Sequence, residues 1–120
     1  MPFWIYSLLV FYTAVLPAKD IPHLFANIND KLLHTGEYAF LFVCAFNAFR
    51  KAKTSLFQNY CYGLSFGYCL AMGVLTEYSQ RFVRTRSAEV LDLFADAVGA
   101  GLAMFVVLLI RRYRLRLKIA

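Results

Sequence analysis

Four long apolar runs, Phe3 to Leu16, Leu32 to Phe49, Tyr60 to Thr76 and Val90 to Ile110, occupy most of a 120-residue chain. A domain of this length has too much surface for its volume to hide that quantity of hydrocarbon from water. Its residues are 61% hydrophobic and 17% charged, where soluble domains carry roughly 45–50% and about 25%, so the surplus has to face lipid. The runs are continuously apolar, which disfavours a barrel of about eight alternating strands. They are also too long for helices lying flat on a membrane surface. An aromatic content of 18% with only three prolines excludes a disordered chain. The expected fold is an all-α membrane protein, a single domain over residues 1–120. Four transmembrane helices, over about 3–17, 32–49, 60–77 and 90–110, would form one bundle with short connections.

The first run is the weakest, since a crossing takes about 20 residues and this one reaches that length only by starting at Met1 and passing Pro17. A cleaved signal peptide is its rival reading. No Lys or Arg precedes the apolar stretch, which opposes cleavage. Gly63, Gly67 and Ala71 on the third span, and Ala95, Gly99 and Ala103 on the fourth, recur every four residues. Small residues at that spacing let backbones approach, so both stripes are expected helix-packing faces. Cys44, Cys61 and Cys69 are odd in number and sit inside apolar runs. They suit neither a disulfide framework nor a thiolate zinc site, and no metal or other cofactor is expected.

The formal charge of +6 points to topology and not to nucleic acid, because the bases flank apolar spans and no nucleic-acid-reading motif holds them. Arg50, Lys51 and Lys53 in the second connection, and Arg111, Arg112, Arg114, Arg116 and Lys118 in the tail, have no acid among them. By the positive-inside rule both segments are cytoplasmic, and with four spans both termini are too. Arg81, Arg84 and Arg86 dissent from that orientation but lie among acids. It places all seven carboxylates, Asp20, Asp30, Glu37, Glu77, Glu89, Asp92 and Asp96, in outer loops or the outer halves of helices.

Those acids fall on stripes. Asp30, His34, Glu37 and Tyr38 lie at i, i+4, i+7 and i+8, one face of a helix. Glu89, Asp92, Asp96 and Gly99 lie at i, i+3, i+7 and i+10, with Ser87 as N-cap. The third span closes with Glu77, Gln80, Arg81 and Arg84. An embedded charge costs about 2.5–3.5 kcal/mol on insertion scales, so such residues should turn to the bundle interior or to one another. The bland alternatives are solvated helix ends for Asp30, Lys31, Arg84 and Glu89, and a structural ion pair between Asp96 and Arg81 or Arg86. Beside these acids His34 becomes a candidate proton carrier.

At these residues the chain resembles the VanZ-like family of small bacterial membrane proteins. The resemblance covers most of the chain and rests on three ordered blocks. The first is Asp30-Lys31-x-x-His34-x-x-x-Tyr38, the second Glu77-x-x-Gln80, and the third Arg86-Ser87 followed by Asp92, Asp96 and Gly99. The family pattern usually has asparagine where this chain has Asp96. The resemblance implies a multi-pass protein of the bacterial cytoplasmic (inner) membrane, and a role like that of the family's namesake, which is associated with resistance to the glycopeptide teicoplanin.

The polar-site candidates are thus Asp30, His34, Tyr38, Glu77, Gln80, Arg86, Asp92 and Asp96. The first reading is a binding module of the cell envelope, with membrane lipids around it. It would recognise an envelope lipid, a cell-wall precursor or an amphipathic antibiotic, arginines taking phosphate and carboxylates taking amines or hydroxyls. A membrane-surface enzyme using carboxylate and His34 acid–base chemistry stays open beside it. So does a proton-coupled transporter, although the cytoplasmic halves of the spans hold no ionisable relay. A structural role in assembly is the fourth reading.

Overall fold

The computed structural model describes residues 3–16, 30–83 and 90–119. Among them there are helices and no strands: α1 (Phe3–Val15), α2 (Asp30–Arg50), α3 (Ser55–Asn59), α4 (Cys61–Gln80) and α5 (Val90–Ile119). The all-helical expectation agrees with this. None of the described helices contains a proline. The ring of Pro17 removes a backbone donor and restricts the residue before it, so α1 stops two residues earlier. The short α3, absent from the expected elements, fills the connection after α2. It is parted from α4 by Tyr60 alone, at φ −110° and ψ 23°. The other end of α4 closes with tight bonds from Arg81 to Tyr78, Phe82 to Ser79 and Val83 to Gln80, a tightened last turn that takes up orphan carbonyls.

The contacts fix the direction of each helix. Phe3 lies 6.0 Å from Phe49 and 4.8 Å from Tyr68 between ring centroids, while Thr13 reaches Glu37, so α1 runs against α2. Tyr38 meets Thr76 and Phe46 meets Tyr62, so α4 also runs against α2. Asp96 meets His34 and Arg111 meets Phe46, so α5 runs alongside α2. Helix α2 packs on α1, α4 and α5, and α1 rests between α2 and α4. The core is centred on α2: Tyr38, Leu41, Phe42, Ala45 and Phe46, closed by Val10, Cys61, Cys69, Met72, Ala100 and Ala103.

Outside this core the helices are apolar and open. Trp4, Leu8, Phe40, Val74, Phe94, Leu102 and Phe105 are all exposed, on a scale that in a water-soluble monomer would mark an unmet contact surface. Two helices, over Lys31–Arg50 and Val90–Ile119, are long and apolar enough to cross a membrane, and α1 is a shorter apolar helix. Helix α4 has the length but is not one of these two. The fourth expected span ended at Ile110, whereas α5 continues to Ile119.

One packing expectation is corrected. Gly63, Gly67 and Ala71 lie on the exposed side of α4, and a Cβ at either glycine would meet no atom within 4 Å. The inner face of α4 is Cys61, Ser65, Cys69, Met72, Gly73, Thr76 and Gln80. These residues follow the helical period on the side turned to α2 and α5, where burial is available. On α5, by contrast, Ala95, Gly99 and Ala103 are buried. A Cβ on Gly99 would lie 2.1 Å from the backbone oxygen of Thr35, so the α2 and α5 backbones touch there.

Candidate functional site

At one end of the bundle, polar side chains from three helices form a ladder. Its residues on α2 are Lys31, His34 and Tyr38, on one face at intervals of three and four. Those on α5 are Asp92 and Asp96, one turn apart. On the outermost rung the Lys31 ammonium pairs with Asp92 Oδ1. The Lys31 side chain is 36% exposed while that of Asp92 is 5% exposed. One turn deeper, His34 Nδ1 lies 2.8 Å from Asp96 Oδ1, and the Asp96 side chain is wholly buried. Deeper again, the Tyr38 and Thr76 hydroxyls are 3.0 Å apart, and Thr76 also donates to the carbonyl of Gly73. From Lys31 to Tyr38 the ladder descends about 10 Å at 1.5 Å per residue.

Backbone approach makes the ladder possible. Gly99 and Thr35 hold α5 against α2, and the Thr35 hydroxyl donates at 2.8 Å to the Lys31 carbonyl, with a longer 3.4 Å contact to that of Ala95. On α4, a Cβ at Gly73 would stand 2.8 Å from Leu93 Cδ1 and 3.1 Å from Asp96 Oδ2. The missing side chain there leaves the space into which the Asp96 carboxylate fits. Gln80 is buried one turn beyond Thr76. Glu77 is half-buried on the same helix.

Of the expected site residues, His34, Tyr38, Asp92 and Asp96 therefore meet in one ladder, with Gln80 buried on the adjoining helix. Glu37, on the expected α2 stripe, turns toward α1: Thr13 donates to its Oε1 at 3.0 Å and Tyr6 to its carbonyl at 3.0 Å. Arg86 lies outside the described residues, and of Asp30 only the backbone is described. Arg81 is exposed at the end of α4. An arginine counter-ion, Arg81 or Arg86, belonged to the alternative of a structural ion pair at Asp96. Among the described residues Asp92 meets the Lys31 ammonium and Asp96 meets the His34 ring, both from α2, the helix whose backbone touches α5 at Gly99.

Lys31, Thr35, Gly73 and Thr76 were not singled out for the site. Lys31 had a usable signal, since it lies three residues before His34 and so shares its face. Thr76 and Gly73 had none, because a hydroxyl or a glycine within an apolar run carries no information about which neighbour it will meet. Among the described residues no three His, Cys, Asp or Glu side chains converge as a metal site would need.

Lys31 and Asp92 form a partly desolvated ion pair, and the His34 contact to Asp96 is one as well when the imidazole is protonated. Removing a carboxylate and its cation from water costs several kcal/mol per ion, which their attraction offsets only when the geometry is good. Two carboxylates buried on successive turns are therefore costly as mere cohesion. What they provide is an ammonium at the surface, an acceptor just beneath it, and an imidazole whose Nδ1 is held by a buried carboxylate, fixing the ring's orientation.

No curated protein and no solved structure matches the chain significantly. The model of the family described as VanZ/LLP1 matches residues 3–111, nearly the whole chain and every rung of the ladder. With its apolar outer surface, its membrane-length helices and that match, the chain is a membrane protein belonging to the VanZ-like family.

Proposed function

We infer that the chain crosses the bacterial inner membrane four times, with α1, α2, α4 and α5 as spans. The alternating helix directions put the start of α1 and the end of α5 at one end of the bundle, beside Arg50, Lys51 and Lys53. The positive-inside rule assigns that end to the cytoplasm. The ladder then opens outward, and its function is to bind the polar head of an envelope amphiphile: a lipid, a cell-wall precursor or a glycopeptide antibiotic. A resistance-like role of the VanZ type is one use of such binding.

The observation that carries this reading is the Lys31–Asp92 rung. It is a charged pair with its cation part-exposed at the mouth and its anion buried, above a second pair sealed from water. The ammonium suits phosphate or carboxylate, and the carboxylate suits amine or hydroxyl groups, so a zwitterionic or sugar-bearing head meets both. Lipid and metal analysis of gently purified protein tests it. Wild type should retain an amphiphile that Asp92→Asn loses by about tenfold, at unchanged protein abundance, since one charged contact is worth about 1.4 kcal/mol or more. Equal retention by both proteins sinks the reading.

One observation favours an enzyme instead: the 2.8 Å contact between His34 and Asp96, which orients the imidazole as a general base requires. A processed product, rather than an intact amphiphile, in the same extract would select that alternative.

A further inference from the structure

The opposite end of the bundle has a surface of its own. The last buried residue of α5 is Ala103, and every residue from Leu108 to Ile119 is exposed. Arg111 sets the level at which the helix leaves the bundle. Its guanidinium lies 5.8 Å from the Phe46 ring centroid and 5.7 Å from that of Tyr62, and it donates to the Tyr62 hydroxyl at 3.0 Å. Beyond it, Arg112, Arg114, Arg116 and Lys118 alternate with Tyr113, Leu115, Leu117 and Ile119.

On a helix that alternation makes four sides. At about 100° per residue, Arg112 and Arg116 share one side, and Arg114 and Lys118 the side nearly opposite. Leu115 with Ile119, and Tyr113 with Leu117, take the two between. These four apolar residues are 58–86% exposed. Such a segment is poorly placed in water, where the apolar sides stay uncovered, and poorly placed in hydrocarbon, where the cations do. The headgroup zone satisfies both, with the apolar sides against acyl chains and the long basic side chains reaching to phosphate.

Charge then selects the lipid. Arg50, Lys51 and Lys53 are exposed at the end of α2, on the helix whose Phe46 meets Arg111. No acidic side chain occurs between residues 38 and 76 or after residue 96. We propose that the basic extension of α5, with the α2–α3 connection beside it, is a binding surface for anionic phospholipid headgroups. The proposal rests on the membrane placement of the chain and not on any ligand at the ladder. Nucleic acid is the other polyanion that meets such charge, but the interleaved apolar side chains have no partner on it.

The test uses the full chain in lipid nanodiscs. The chain has one tryptophan, Trp4, so Trp4→Phe with Tyr113→Trp moves the only indole into the segment, at a residue that is 65% exposed. The discs hold phosphatidylcholine with a minor fraction of phosphatidylglycerol, and one or the other lipid carries brominated acyl chains that quench indole fluorescence. Per labelled lipid, phosphatidylglycerol should quench at least about threefold more strongly, and the preference should shrink as salt is raised. Adding Arg112→Gln, Arg114→Gln, Arg116→Gln and Lys118→Gln together with Arg50→Gln, Lys51→Gln and Lys53→Gln should bring the two lipids to parity. Arg111 is kept so that its packing is retained. Equal quenching before the charges are removed, or a preference that survives their removal, overturns the proposal. Absence of quenching by either lipid overturns it too, since the segment would then stand in water. So does loss of the preference on adding a short RNA at low concentration, which would point to a dissolved polyanion.

Discussion

Between Lys31 and Tyr38, α2 meets its neighbours through Asp92, Asp96 and Thr76, whereas between Phe42 and Phe49 the same helix meets them through Tyr62, Phe3 and Arg111. The lower contacts are rings: Phe42 and Phe46 stack at 6.1 Å, Phe46 tilts on Tyr62 at 4.8 Å, and Phe49 lies 5.6 Å from Phe57. Ring contacts tolerate a range of angles and lose little when a neighbour shifts. Polar contacts to a buried carboxylate are directional, and lose heavily when one member goes. A bundle needing only cohesion could use the aromatic arrangement at both ends. That it does not sets the polar end apart from the ring-lined half and is what the proposed binding role builds on.

The comparison breaks most sharply at Gly99, the point where the polar end is clamped. Gly99→Leu has to displace the Thr35 backbone, so intact protein in the membrane should fall by about tenfold or more, measured by abundance and by recovery after extraction. Next comes the buried rung. His34→Leu or Asp96→Leu alone should cost about 3 kcal/mol in unfolding experiments, because each removes one member of a buried polar pair, and the double variant should regain most of that loss. A double variant as unstable as the sum of the singles would remove the pairwise coupling on which the contrast stands. At the aromatic end, Arg111→Gln should cost only about 0.5 kcal/mol by the same measurement, the size of an exposed cation–π contact. Smallest of all should be Gly67→Leu, which enters open space and should stay within about 0.5 kcal/mol of wild type. A large loss there, absent in dilute detergent and present in the membrane, would mean that the exposed side of α4 meets another chain.

Some of this was legible in the residues. The stripe running through His34 and Tyr38, and that through Asp92, Asp96 and Gly99, follow from helical periodicity alone, and each lies on a buried face. Glu37 shows the limit of the same argument. Its position at i+3 from His34 and i−1 from Tyr38 put it on the expected stripe, but one residue is 100° of rotation, enough to hand its carboxylate to Thr13 on α1. The small-residue pattern was equally ambiguous. Gly63, Gly67 and Ala71 have the same spacing as Ala95, Gly99 and Ala103, yet only the second set is at a contact. Spacing shows that a close approach is sterically allowed, not which helix arrives.

By itself, then, the sequence determined the long helices, the gathering of the described acids at one end, and the need for a membrane, because these depend on local periodicity and on how much hydrocarbon a short chain can bury. Only the tertiary structure decided the partners: Lys31 for Asp92, His34 for Asp96, Thr76 for Tyr38, and the space at Gly73 that admits the Asp96 carboxylate. Pairing is a property of helix rotation and separation, which are set by the whole packed interface and not by any one stretch of chain.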